Sequence, residues 1–146
     1  MSVEESVLTG ISSALAGMSG WSSSRIIEGL PTASEVRANT AYISPSGCTS
    51  VRGDGADLTG YKRTMTVDVL IAVPASGQSA GARIRAALAV SALARRAIEA
   101  APTIGGIVED LQIAFAQVSG DEIGIPGMGV AMGEVAVWWL SDGGAE

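Results

Sequence analysis

The chain has 146 residues, a formal net charge of −6 and 47% apolar residues. No apolar run approaches the roughly 18 to 20 residues of a membrane-spanning helix, and we expect no signal peptide, because the first residues lack its basic and apolar regions. The sequence has no histidine, which excludes the commonest general base. Its single cysteine, Cys48, excludes an intrachain disulfide and fits a reducing compartment. A mean hydropathy of +0.36 is high for a soluble monomer, so we expect subunit interfaces to cover part of the apolar surface.

The first segment is predicted to be an amphipathic helix of about four turns. Ser2 and Glu5 have the spacing of a capping box, in which each side chain accepts a hydrogen bond from the other residue's backbone amide. Apolar residues follow at helical spacing, and Gly17 or Gly20 is expected to end the helix.

The next forty residues are predicted to be mostly loop. Residues 21–31 are rich in serine and glycine and predict a connection, followed by a short turn at residues 34–37. Residues 39–44 alternate and predict a short strand, which Pro45 should stop. Residues 46–60 contain four glycines, two aspartates and no apolar period, so they predict a long loop that is either an interaction arm or a solvated, flexible segment.

The strand predicted at residues 61–73 carries the clearest period in the chain. Every second residue from Met65 to Val73 is apolar, which places these side chains on one face of an extended strand. The opposite face begins polar and ends apolar. A strand of this kind predicts an antiparallel sheet with one side partly in contact with solvent.

A second helix is predicted from about residue 80 to residue 100. Ser79 can cap its N-terminus, and Pro102 prevents it from continuing. Polar residues Arg85, Arg96 and Glu99 occupy a narrow arc. The remaining wide stripe consists of Ile84, Ala87, Leu88, Val90, Leu93, Ala94, Ala97 and Ile98. Its many alanines predict close approach to a sheet.

The last third predicts two strands joined by a polar, glycine-rich loop at residues 119–129. The first, residues 107–118, is expected to place its large apolar residues on one face. The second, residues 130–140, places Trp139 on one face and Trp138 on the other, so both faces are expected to be covered, one of them by another subunit. The acidic residues 141–146 are expected to form a flexible tail.

These elements predict a single α+β domain over residues 1–140. The expected fold is a four-stranded, mainly antiparallel sheet with two α-helices packed on one face, in the order α-β-β-α-β-β. Hairpin pairing of the first two strands, and of the last two, follows from their adjacency along the chain.

No pattern in the chain predicts an active site. Gly127, Gly129 and Gly133 resemble part of a phosphate loop, but a strand follows them, so they are interpreted as turn and bulge positions. Cys48 lacks a histidine that would activate its thiol. Basic residues are scattered in an acidic chain, which disfavours nucleic-acid binding. We therefore assign no enzymatic activity, catalytic residue or cofactor.

Four loop carboxylates have the oxygen ligands that a hard cation prefers, namely Asp54, Asp57, Asp121 and Glu122. Their spacing does not match an EF-hand loop, because Met65 stands where the closing glutamate should be. Solvated turn carboxylates are the preferred interpretation, and no metal site is predicted.

The order of elements resembles the tail-terminator (tail-completion, minor tail) proteins of long-tailed bacteriophages. The resemblance lies in an amphipathic helix at residues 3–16, the segment AYISP at 41–45 before a long loop, a strand at 65–73, a helix at 84–98, and closing strands at 108–118 and 130–139. Small size, acidity and the lack of catalytic equipment are also typical of these proteins.

The resemblance implies a structural virion protein. It would form a homo-hexameric ring that caps the tail tube, ends tube polymerisation and offers a surface to a head-side connector or neck protein. It would occupy the head-proximal end of the tail, after assembly in the host cytoplasm, and DNA would pass through an acidic lumen without specific binding. Arg52, Asp54, Asp57, Lys62 and Arg63 are predicted to contact the tube or a neighbouring copy.

Three other functions stay open. The first is a head-completion or neck connector protein, which has a similar size and also forms rings but binds the portal side. The second is a non-viral oligomeric α+β module with a small-ligand pocket near Trp21 or Trp138. The third is an enzyme that uses Cys48 or the loop carboxylates.

Overall fold

The computed structural model describes residues 1–52 and 60–141. Its elements in chain order are helix α1 (Val3–Ala16), strands β1 (Ile26–Glu28), β2 (Thr40–Arg52) and β3 (Tyr61–Pro74), helix α2 (Ala80–Glu99), and strands β4 (Asp110–Ser119) and β5 (Met128–Ser141). Short 3-10 helices occur at Ser23–Arg25, Ala33–Glu35 and Gly120–Ile123.

The strands form one mixed, five-stranded sheet in the order β1-β2-β3-β5-β4. β1 runs parallel to β2, and the other three pairs are antiparallel. The expected hairpin pairs, β2 with β3 and β4 with β5, are present. The predicted four-stranded, mainly antiparallel sheet in the order α-β-β-α-β-β is nevertheless wrong. β1 was missed because three residues are too few to show a period of two.

Strand β2 is 13 residues long and passes through Pro45. The expectation that Pro45 stops this strand is therefore wrong. Its register with β3 shifts between Pro45 and Gly47, which is a β-bulge, and β1 reaches only Ala41–Ile43 of β2. Pro45 is tolerated because a residue at a β-bulge, or on the unpaired side of an edge strand, does not need a backbone amide for pairing. Residues 46–52 of the predicted loop are thus strand, and residues 53–59 lie outside the described residues.

The main hydrophobic core lies between the helices and one face of the sheet, which we call the inner face. Helix α1 contributes Val7, Ile11 and Leu15, all almost fully buried, and each such side chain stabilises the fold by about 1.5–3 kcal/mol. The capping box is confirmed: the Ser2 amide donates to Glu5 Oε2 at 2.8 Å and the Glu5 amide donates to Ser2 Oγ at 3.1 Å. Helix α1 ends before Gly17.

Helix α2 lies very close to strand β5. A Cβ added to Gly129 would be 2.1 Å from the Arg83 carbonyl oxygen and 2.8 Å from the Ala87 amide nitrogen, so only glycine fits there. The predicted close approach of the alanine-rich stripe is confirmed. The predicted stripe is too wide, however, because Ile84 and Leu88 are 38% and 50% exposed.

The glycines near the start of β5 have different roles from those predicted. Gly127 has φ +78 and forms a turn, as expected. Gly129 and Gly133 are not bulge positions, because the pairing of β5 with β3 runs without a register shift from Met128 to Ser141. Both allow close contact with neighbouring backbone instead, Gly133 with strand β4.

Candidate interaction surface

The far half of β2 is the least covered part of the described sheet. Residues 45–52 are all exposed, whereas Ala41–Ile43 are buried. We call residues 47–51 the distal β2 segment. Within the described residues, this segment has β3 on one side and no strand on the other. An uncovered strand edge presents backbone groups that can pair with another strand.

Three of the five residues predicted to contact a partner lie at the end of the sheet beside this segment. In the register of β2 and β3, Arg52 is opposite Tyr61, and Lys62 and Arg63 follow next along β3. They do not share a face. Alternation along the strands places Lys62 on the outer face, opposite the helices, and Arg52 and Arg63 on the inner face. Asp54 and Asp57 lie outside the described residues.

Two of these cations lie over aromatic rings. Lys62 Nζ is 4.8 Å from the centre of the Trp138 ring, and the Arg63 guanidinium carbon is 5.9 Å from the centre of the Tyr61 ring. Such contacts contribute about 0.5–1 kcal/mol at exposed sites. They hold the basic side chains along the sheet, so the positive charge at this end has a defined position.

The outer face of the sheet is uncovered over β5 and β4. Leu140 is 66% exposed, Met132 is 41% exposed, and Trp138 is only half-buried beneath Lys62. The inner-face neighbour Trp139 is buried in the core. The expectation that both tryptophan faces are covered therefore holds within this chain for Trp139 alone. An exposed apolar surface on one side of a sheet is typical of a site where another molecule binds.

Two carboxylates face each other on this outer surface. Asp68 of β3 and Glu134 of β5 are direct cross-strand partners. Like charges in that arrangement destabilise a sheet by a few tenths of a kcal/mol to about 1 kcal/mol. The uncovered face is therefore both apolar and acidic.

The opposite end of the outer face is covered by the chain itself. A second, smaller core forms there from Ala72, Ile125 and Val130. Val36 and Ile123, from the segments that contain two of the 3-10 helices, pack against it. The uncovered part of the outer face therefore runs along β5 from Met132 to Leu140.

Cys48 lies in the distal β2 segment and is exposed. Partial burial of the thiol, and to a lesser degree the nearby Glu4 carboxylate, raise the pKa of Cys48 above its ordinary value. A raised pKa keeps the thiol protonated at neutral pH, which is the reverse of the setting that activates a nucleophile.

The loop carboxylates do not form a metal site within residues 1–52 and 60–141, where no group of three or more potential ligands is brought together. Asp121 instead forms an ion pair with Arg83 of α2 and accepts a hydrogen bond from the Gly127 amide at 3.2 Å. Its carboxylate thus joins the loop before β5 to helix α2. Trp21 is partly buried and packs against the main core.

The sequence patterns did not predict most of this surface. The alternation of Met132, Trp138 and Leu140 was visible, but the absence of a covering element depends on where the helices pack. Neither models of known protein families nor curated protein sequences match this chain. Of the described helices, neither is long and apolar enough to cross a membrane.

Proposed function

We propose that this protein is a ring-forming structural protein that caps the tail tube of a long-tailed bacteriophage. In this role it ends tube polymerisation and presents a surface to a head-side connector or neck protein. It acts in the virion, at the head-proximal end of the tail, and is assembled in the host cytoplasm.

The observation that carries this proposal is the uncovered outer face of the sheet next to the exposed end of β2. A single chain leaves Leu140, Met132 and Val51 between 41% and 66% exposed, all on one side of the sheet. Burial of such residues gives about 25 cal/mol for each Å² removed from water, which favours association. The resemblance of the order of elements to tail terminators then supports a ring on a tail tube as the type of assembly.

The charge distribution supports the passage of DNA without specific binding. The chain has a net charge of −6, and Asp68 and Glu134 add two carboxylates to the outer face. Like charge disfavours contact with phosphates. A ring whose lumen is acidic would let DNA pass without retaining it.

We also propose that Arg52, Lys62 and Arg63, with Asp54 and Asp57 of the adjoining segment, contact the tube or a neighbouring copy. Lys62→Glu is expected to weaken capping, because it reverses an exposed charge at the end of the sheet. Arg95→Glu, which reverses an exposed charge on α2, is the matched control. A deletion of residues 51–58 that leaves capping intact would refute this assignment.

The direct test combines two measurements. Native mass spectrometry of the chain, alone and with tubes of the tail-tube protein from the same genome, should show a ring in at least one condition. Electron microscopy of growing tubes should show shorter tubes when the chain is added. Binding to purified portal-side proteins in place of tubes would favour the neck-connector alternative. A chain that stays monomeric with tubes and leaves tube length unchanged is not a tail terminator.

A further inference from the structure

Apart from the three-residue strand β1, two stretches of strand edge in the described sheet lack a neighbouring strand. One is the distal β2 segment, and the other is the whole of β4, which ends the sheet on the opposite side. Among its ten residues, β4 has Asp110 as its only charged residue and no lysine or proline. Natural proteins usually protect an edge of this length with such residues, because an unprotected edge pairs with other strands.

The two edges run in opposite directions. Each of the three steps from β2 to β3, β5 and β4 is antiparallel, so β4 is antiparallel to β2. When two copies lie side by side in the same orientation, β4 of one copy can therefore pair with the distal β2 segment of the next in an antiparallel ladder. We propose that the ring closes through this contact, which joins the sheets of successive copies. This inference rests on the proposed ring and specifies its interface.

Strand β1 determines how far neighbouring copies must be offset along the strand direction. Across the sheet, Ser44 lies in one row with Asp68, Glu134 and Ala114. If the rows of two copies were aligned without an offset, the second half of the neighbour's β4 would occupy the position where β1 already pairs with Ala41–Ile43. The neighbouring β4 must therefore move along the strand direction until it clears β1.

The side-chain alternation fixes the size of this shift. Only an even number of rows keeps inner faces beside inner faces. The smallest even shift that clears β1 is about six rows, or about 20 Å at the usual rise per residue. The bulge and Pro45 then end the ladder, because Pro45 has no amide to donate.

This shift pairs Thr49 with Ala116 and Val51 with Ala114 on the outer face. All four residues are exposed in the single chain. Small side chains on β4 let the two backbones approach to the 4.7–4.9 Å spacing of a sheet. Among the described residues, the pairing brings no like charges together, and it covers the exposed Val51.

The shift meets one geometric requirement of a closed ring. A sheet closes on itself only when its strands are tilted and staggered along the register. Head-to-tail contacts between identical copies close into a ring when the rotation per copy allows it. The offset that β1 requires between neighbouring copies produces this stagger at every contact.

Cysteine cross-linking tests the contact with a matched control. In the Cys48→Ser background, Thr49→Cys and Ala116→Cys lie on the same outer face and should form an intermolecular disulfide under mild oxidation. The control keeps Cys48 and adds only Ala116→Cys. In this control, Cys48 is only one residue from position 49 but lies on the inner face, so its thiol and that of Ala116→Cys are on opposite faces of the sheet. We expect cross-linking at least about tenfold faster in the first variant, since a disulfide needs Cα atoms about 4.4–6.8 Å apart.

The outcomes separate this contact from the proposed function. A covalent ladder that grows to the mass of the ring, in the first variant alone, supports the edge contact. A ring that forms and caps tubes while both variants cross-link equally, or neither does, overturns the edge contact and leaves the capping role standing. The absence of a ring and of capping, with or without tubes, overturns both. Circular dichroism checks that the substitutions, all at exposed positions, leave the fold unchanged.

Discussion

Replacing Gly129 with alanine tests whether α2 rests directly on the backbone of β5. The added Cβ would lie 2.1 Å from the Arg83 carbonyl oxygen and 2.8 Å from the Ala87 amide nitrogen. Both are backbone atoms of a helix and cannot rotate away, so α2 must move by roughly 1 Å, which close-packed interiors resist. Overpacking of this kind lowers the free energy of unfolding by about 1–3 kcal/mol.

Two opposing effects decide the expected result for Gly129→Ala. Loss of glycine restricts the unfolded chain and stabilises the fold by about 0.4–1 kcal/mol, provided the new residue fits. Here the residue does not fit, so we expect the destabilising effect to dominate. At about 3–4 °C per kcal/mol for a domain of this size, Tm should fall by roughly 3–12 °C.

Gly47→Ala is the matched control, because an added Cβ there meets no atom within 4 Å. We expect its stability to equal or slightly exceed that of the unchanged chain. Urea unfolding followed by tryptophan fluorescence, at one protein concentration for all variants, gives the comparison. A Gly129→Ala variant as stable as Gly47→Ala would refute the proposed contact between α2 and β5.

Three further predictions concern α1 and Cys48. Ile11→Ala, at a side chain that is 1% exposed, should lower the free energy of unfolding by about 2–5 kcal/mol in the same urea assay. Hydrogen bonds from the backbone and side chain of Ser2 hold the pKa of Glu5 below its ordinary value, so the stability gained from this ionised cap is present above the ordinary pKa and is lost as the pH falls through the lowered pKa. Ser2→Ala should therefore lower Tm more near pH 7 than near pH 3, and an equal loss at both would contradict the capping box. Iodoacetamide should modify Cys48 more slowly at neutral pH than a free peptide thiol, and faster after Glu4→Gln; mass spectrometry measures both rates, and a faster reaction in the unchanged chain would contradict the raised pKa.

Local signals were sufficient to predict the helices and the central strand. The Ser2–Glu5 box and Gly17 set the limits of α1, and the period of two from Met65 to Val73 identified β3. These features depend on residues close in sequence, where propensity and alternation operate directly. Pairing between neighbouring strands followed for the same reason.

Features that depend on distant residues were missed. Ile26–Glu28 becomes a strand only because β2 offers it a parallel partner, and Pro45 remains in β2 only because its outer side has no strand to bond. The position of β4 at the edge of the sheet is equally invisible in the sequence, since β5 enters between it and β3. For the candidate interaction surface, the prediction that Arg52, Lys62 and Arg63 contact a partner stays a prediction, and the sequence indicated neither the open strand edges nor the uncovered outer face.

The exposed end of β2 lies apart from the residues that hold the fold together. Residues 45–52 bury almost nothing, whereas Ala41–Ile43, beside β1, belong to the buried part of the strand. Substitutions at the exposed end are therefore expected to leave the stability of the chain unchanged, while they alter the edge contact proposed above. If that contact forms, its residues can diverge while the architecture of the chain is kept, because folding does not depend on them.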